Sequence, residues 1–292
     1  MITLTAGTAK AHILPDMGGG LAGLWQGDRP ILRPWSGNPD DGPFALACNL
    51  LLPFSNRISH GGFTFKGQHH PIAPNLPGEP FPIHGDAFQR IWTHHSTQAT
   101  ADLTLTRGTI GPFLYDAQAR YALAPNALTI TLSLTNRATQ TLPYGLGLHP
   151  WFPRDAATRL QFHATGCWPE TAQHLPATQA PLPLHPNPWA DPAPLPDAWI
   201  NQGFSGWDSH ARITQGPAAT SLNLTATGLT TALLYSPSAT ADFFCFEPVT
   251  HPVDAHNLRG QPGLAALAQD ANLNASLTLT WAAEAPNPKV TP

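Results

Sequence analysis

The sequence predicts an all-β protein, a sandwich or barrel of short antiparallel strands. Three observations carry this. Apolar and polar residues alternate with a period of two in several segments, the pattern of a strand with one buried face. Gly and Pro punctuate the chain, with 24 and 33 residues, and such breakers bound short strands. No amphipathic pattern long enough for a three-turn helix appears, so helices cannot supply the second layer.

The strands follow in order. ADLTLT (101–106) alternates cleanly. AQARYALAPNALTITL reads as a hairpin around Pro125-Asn126. In its second arm Leu128, Ile130, Leu132 and Leu134 face one way and Thr129, Thr131, Ser133 and Thr135 the other. SLNLTAT (221–227) and ASLTLTW (275–281) repeat the pattern. TTALLYS (230–236) and DFFCFE (242–247) are more continuously apolar, as in strands covered on both faces. GLAALAQDA (263–271) is the best candidate for a short helix. The Pro-rich stretch from Pro169 to Pro196 reads as a long ordered loop, because Trp168, Trp189 and Trp199 punctuate it and disordered segments lack aromatics. One domain over residues 1–292 is expected.

Composition narrows the function classes. Hydrophobic residues make up 42%, enough for a sizeable core, while charged residues are only 11%. The net charge is −4 and no basic cluster exists, which argues against nucleic-acid and anionic-membrane partners. No apolar run reaches the roughly 18 residues of a membrane span. MITLTAGTAKAHILPDMGGG does not read as a signal peptide, so a soluble cytoplasmic protein is expected. Cys48, Cys167 and Cys245 form no CxxC pair and read as small buried hydrophobes.

Candidate chemistry lies in four places. LPFSNRISHGG carries Asn56 and Arg57 before a Gly-rich turn. FPIHGDAFQRIW sets His84 directly before Gly85. PYGLGLHPWF boxes His149 between strand-breaking residues and the aromatics Trp151 and Phe152. FCFEPVTHPVDAHN ends an apolar strand on Glu247, where desolvation raises a carboxyl pKa. Each has a structural alternative: turn histidines are commonly architectural, and Arg57 could pair with a surface carboxylate. His69-His70 and His94-His95 are poor metal ligands, since strand neighbours point to opposite faces. No metal and no organic cofactor are expected.

Together these segments resemble the aldose 1-epimerase (galactose mutarotase) family. AHILPDMGGGLAGLWQGDRPILRP is similar to the family's opening, and SNRISHGGFTFKGQ, PIHGDAFQRIW, LGLHPWF and FEPVTHPVDAHN resemble its later motifs, in the correct order. The resemblance implies a large antiparallel β-sandwich with a saddle-like sheet holding a sugar. It implies Glu247 as general base, His149 as general acid, His84 as a second histidine near the ring oxygen, and Arg57 as a sugar-binding arginine. Asn56 and Trp151 are expected at the sugar, Trp151 as an apolar wall. INQGFSGWD places Asn201 where the family has an acidic sugar ligand three positions before a Phe.

The implied activity is interconversion of the α and β anomers of an aldose by ring opening and closing. A base takes the O1 proton while an acid protonates O5, which asks for an ionised Glu247 and a protonated His149. The partner is then a small monosaccharide, and the protein a monomer or homodimer. The rivals are a non-catalytic carbohydrate-binding module, a mutarotase of a phosphorylated sugar, and one acting on an unusual pentose, deoxy sugar or uronate.

Overall fold

The computed structural model describes residues 1–282. An 11-stranded and a 9-stranded sheet carry most of the chain. Every pairing between named strands is antiparallel, as expected; a single parallel bridge, Leu52 to Gly85, lies outside them. The smaller sheet is built around the alternating segments: Thr100–Ile110, Phe113–Ala124, Ala127–Asn136, Asn272–Trp281 and Leu222–Thr227 lie side by side. The hairpin turns at Pro125-Asn126, with Ala124 opposite Ala127. Leu128, Ile130, Leu132 and Leu134 point into the core.

The larger sheet places Cys48–Leu51, Gly147–Pro153, Phe243–Val249, Thr231–Ser236 and Ile200–Ser205 next to one another. Alternation sorts these strands into two faces. Leu50, Leu148, Phe152, Leu234, Phe244 and Phe246 join the main core, which also draws on the smaller sheet. Burying each such side chain stabilises the fold by about 1.5–3 kcal/mol. The intervening residues, His149, Trp151, Cys245, Glu247, Leu233 and Asn201, face the other way. All but the half-buried Asn201 are buried, with Phe44 and His84 packed on His149 and Arg33 on Trp151. The continuous apolar pattern of the two central strands is thereby accounted for.

The proline-rich stretch forms an irregular run with two-residue strands at Leu182–Pro183 and Ala193–Pro194, one at the end of each sheet. Trp168 and Trp189 anchor it in buried positions, while Trp199 stays exposed. The stretch 263–271, a short and uncapped helix candidate, is not helical. Ala265–Leu267 pairs instead as a strand with Leu142–Tyr144. A partner strand satisfies its main chain where three or four helical residues could not have satisfied each other. Of the histidine pairs, His69 is exposed and His70 buried against Phe63, and both His94 and His95 are exposed. No helix among the described residues is long and apolar enough to cross a membrane.

Candidate active site

His149 and Glu247 lie on adjacent strands of the larger sheet. The register Gly147 to Val249 and Trp151 to Cys245 sets them opposite each other on one face. His149 Nε2 sits 3.3 Å from Glu247 Oε1, with both side chains buried. Gly147 is required for this pairing: a Cβ there would come within 2.5 Å of Val249 Cγ1. The glycine that interrupts the sequence pattern before His149 lets two strands close up around it.

Asn56 and His84 come from two loops joined across their main chains. His84 N–H donates to Asn56 O and Asn56 N–H donates to His84 Nδ1, both at 3.0 Å. The proton of neutral His84 is therefore on Nε2. Both residues have positive φ, 56° and 59°, where L side chains are rare. Gly85 follows with φ of 66°, and a Cβ on it would lie 1.9 Å from Leu52 O. Asn75 fastens the turn further, accepting from Ile83 N–H at 2.7 Å and donating to Ile83 O and Gly85 O at 2.9 and 2.6 Å. Asp86 accepts from Tyr115 Oη at 2.5 Å and from Arg90 Nε at 2.6 Å.

The late glutamate motif supports the same loops. Asp254 accepts from Ser59 N–H and Oγ at 2.8 and 2.6 Å, and Asn257 donates to Asp254 at 2.8 Å. His251 accepts from Ser55 N–H at 3.1 Å through Nε2 while its Nδ1 contacts Pro252 O at 2.8 Å. These residues hold the Asn56-Arg57 segment against the strand end that carries Glu247.

Aromatic rings pack around His149. Trp151 stacks on His149 with centroids 5.1 Å apart and planes 17° apart. His84 meets His149 edge-on at 5.3 Å. Phe44 covers both histidines, at 5.5 Å from His84 and 6.1 Å from His149. Phe152, by contrast, packs on Phe244 in the core.

Arg57 reaches the site but is held by Glu79, with Nε and Nη2 at 3.2 and 3.1 Å from its two oxygens. Asn201 lies two strands from Glu247, across Thr231–Ser236. Its Nδ2 donates to Glu170 Oε2 at 2.7 Å, and Glu170 also contacts Trp199 Nε1 at 2.5 Å and His174 Nδ1 at 3.0 Å. The structure thus brings His149, Glu247, His84, Asn56, Arg57 and Trp151 together and sets Asn201 at the side. Sequence reasoning missed Phe44, Arg33, Cys245, Glu79 and Glu170. The chain has only four glutamates, and that scarcity was a usable signal for two of these. The fourth, Glu284, lies outside the described residues.

Burial dominates the electrostatics. It pushes Glu247 up to about 8, opposed by the charge of Arg57. It pushes His149 down to about 3, aided by the charge of Arg33 and opposed by its own main-chain carbonyl. His84 is also held well below the usual range, by burial and by the neighbouring His149, Arg57 and His251. Both shifts favour the uncharged forms, a protonated Glu247 and a neutral His149. Burial thus works against the charged pair, an ionised Glu247 beside a protonated His149, that the family resemblance implies. Among the described residues Glu247 Oε2 and His149 Nδ1 find no hydrogen-bond partner.

Cys245 shares the face, and its Sγ lies with the ligand atoms of His149 and Glu247 inside a 4.8 Å cluster. The sequence offered no such ligand set. Burial holds the Cys245 thiol well above its usual range.

Residues 1–280 match the family model described as aldose 1-epimerase. The chain belongs to the aldose 1-epimerase family. Similar proteins include the uncharacterised YphB of Escherichia coli K12, 33% identical over 287 residues, 95% of this chain and 97% of that one. A solved structure of a candidate aldose 1-epimerase from Escherichia coli K12 superposes with a TM-score of 0.88 at 32% identity, covering 96% of this chain and 98% of that one. A galactose mutarotase-like protein from Clostridium acetobutylicum shares the fold at a TM-score of 0.84 and 19% identity, over 97% of this chain and 95% of its own.

Proposed function

We propose that the protein is an aldose 1-epimerase whose working unit is the His149–Glu247 pair carrying one proton. The observation that supports this most is the buried 3.3 Å contact between the two side chains. Two groups of opposite function share a site from which water is largely excluded.

A cyclic aldose has O1 and O5 on the same carbon, so its hemiacetal edge can face both side chains at once. The O1 hydroxyl donates to Glu247 and stabilises the carboxylate, and O5 accepts from the imidazolium of His149. These contacts favour movement of the proton from Glu247 to His149. Glu247 then takes the O1 proton as the C1–O5 bond breaks. The bonding pair goes to O5, His149 gives O5 its proton, and C1=O1 forms. Rotation about C1–C2 and closure with the roles reversed give the other anomer. Positioned acid–base groups of this kind contribute about 10² to 10⁴-fold. His84, with its proton on Nε2, donates near O5. Trp151 and Phe44 offer apolar faces to the ring.

The test is anomer exchange. Freshly dissolved α-anomers of a panel of aldoses, followed by NMR or polarimetry, should relax faster with the protein at catalytic concentration. Saturable sugar binding with no acceleration for any aldose would make it a carbohydrate-binding module instead.

A further inference from the structure

Arg33 is a cation on the site face with no carboxylate at ion-pairing distance among the described residues. It follows the strand Arg29–Leu32, and its N–H donates to Trp151 O at 2.8 Å, which fixes it beside that residue. Its guanidinium carbon lies 4.3 Å from the Trp151 ring centroid and 4.7 Å from that of Phe243. The two rings themselves meet at 4.9 Å. Stacking occupies the faces of the guanidinium and leaves its edges. Of the five N–H donors on an arginine side chain, one points at Phe44 O, at a long 3.4 Å. Arg57 and Arg90, by contrast, have carboxylate partners, and Arg154 donates to Ser236 Oγ, Ser238 O and Pro196 O.

The position of this arginine relative to the reacting pair is informative. Trp151 is the next residue after His149 on the same strand face, and its ring stacks on His149. Trp151 also carries Arg33 over its own ring, so if His149 serves O5, as proposed above, a substituent on C6 that passes the Trp151 edge meets the guanidinium. A half-buried guanidinium with open edges recognises a carboxylate, phosphate or sulfonate by two parallel hydrogen bonds.

We infer that Arg33 is the specificity-determining residue of the site and that it recognises aldoses carrying an anionic group on C6. The inference rests on the mutarotase reading. One stacked arginine supplies what a cluster of lysines would.

The experiment compares anomer exchange of D-glucose, D-glucuronate and D-glucose 6-phosphate, with Arg33→Met and Arg33→Lys beside the wild type. Methionine keeps the stem packing on Trp151 and Phe243 without the donors. Wild type should favour at least one anionic sugar by about 10-fold or more in kcat/KM, mainly through KM, as expected for a charge-assisted pair. The anionic-to-neutral ratio should fall about 10-fold or more in Arg33→Met and be restored in part in Arg33→Lys. The better anionic sugar tells carboxylate from phosphate. No anionic preference in wild type, or an equal ratio in Arg33→Met, overturns the inference. If no sugar is turned over, the mutarotase reading has failed. Calorimetric titration with D-glucuronate and D-glucose then decides for Arg33, and equal binding of the two sugars by wild type overturns it.

Discussion

Asn201 gives its amide N–H to Glu170 at 2.7 Å, and that bond decides how the asparagine faces the site. A carboxylate accepts and cannot donate, so the NH₂ of Asn201 turns toward Glu170 and Oδ1 is left as an acceptor. An acceptor is what an acidic residue would present at this position. Glu170→Ala should free the amide to turn and raise KM by about 5-fold, the worth of one oriented hydrogen bond, with a smaller change in kcat. An unchanged KM would show that Asn201 Oδ1 does not touch the sugar.

Arg57 acts on Glu247 by its charge while held by Glu79. Removing that charge in Arg57→Ala should raise the pKa of Glu247 further and move the alkaline limb of the rate profile to higher pH. Glu79→Gln leaves Arg57 less neutralised and should move the limb down. Shifts in the same direction for both variants would mean that the field of Arg57 does not reach Glu247. Arg57→Ala should also weaken turnover. A variant that unfolds, with unchanged specific activity in its folded fraction, would instead make Arg57 an ion-pair partner of Glu79 alone.

The pH dependence follows from the direction of each shift. The one-proton state of the His149–Glu247 pair spans the interval between about 3 and about 8. Activity should hold across neutral pH and fall as the pair loses its proton near 8, with apparent pKa values that belong to the pair. Stability has two contributions. Burial depresses His149, His251 and His256 to about 3, 4 and 3 from 6.5. Their stabilising effect is full above 6.5 and is lost as pH falls, because the unfolded chain takes up protons that the folded one refuses. Glu247 rises from 4.5 to about 8, so its effect is full below 4.5 and is lost as pH rises through 8. Urea midpoints should drop steeply from pH 6.5 to 4 and slowly from neutral to 8. Glu247→Gln should remove the second decline. A midpoint that rises on acidification would contradict these assignments.

Cys245 borders the reacting pair as a protonated thiol. Dialysis against a chelator should leave anomer exchange unchanged, and Cys245→Ser should retain most of it. Activity lost on chelation and restored by one divalent ion would instead assign the His149, Cys245 and Glu247 cluster to a metal.

The alternating segments revealed their strands, because a period of two fixes which face is buried regardless of partner. The motif residues were legible for a different reason. Asn56, His84, His149 and Glu247 sit where Gly and Pro force the chain into turns or close approaches, so each local sequence bears the mark of its geometry. Phe44, Arg33 and Glu79 lie in segments without periodicity, and their roles come from contacts with distant strands. Cys245 was visible in the apolar strand before Glu247, but its face was not used: two residues apart on a strand means one side of the sheet. The stretch 263–271 was only a short, uncapped helix candidate, and its alanines and leucines take the strand edge that Leu142–Tyr144 offers.

The central claim is that Glu247 and His149 pass a proton between O1 and O5. Glu247→Gln removes the ionisable group at nearly constant shape, and an amide at that buried position should keep the fold. The decisive measurement is NMR exchange between the α and β anomers of the best aldose, with folding checked by near-UV circular dichroism and thermal midpoint. The expected result is a native-like Glu247→Gln protein whose exchange rate is lower by at least about 10²-fold, and a His149→Asn protein comparably impaired. A native-like Glu247→Gln protein exchanging anomers at close to the wild-type rate would contradict it.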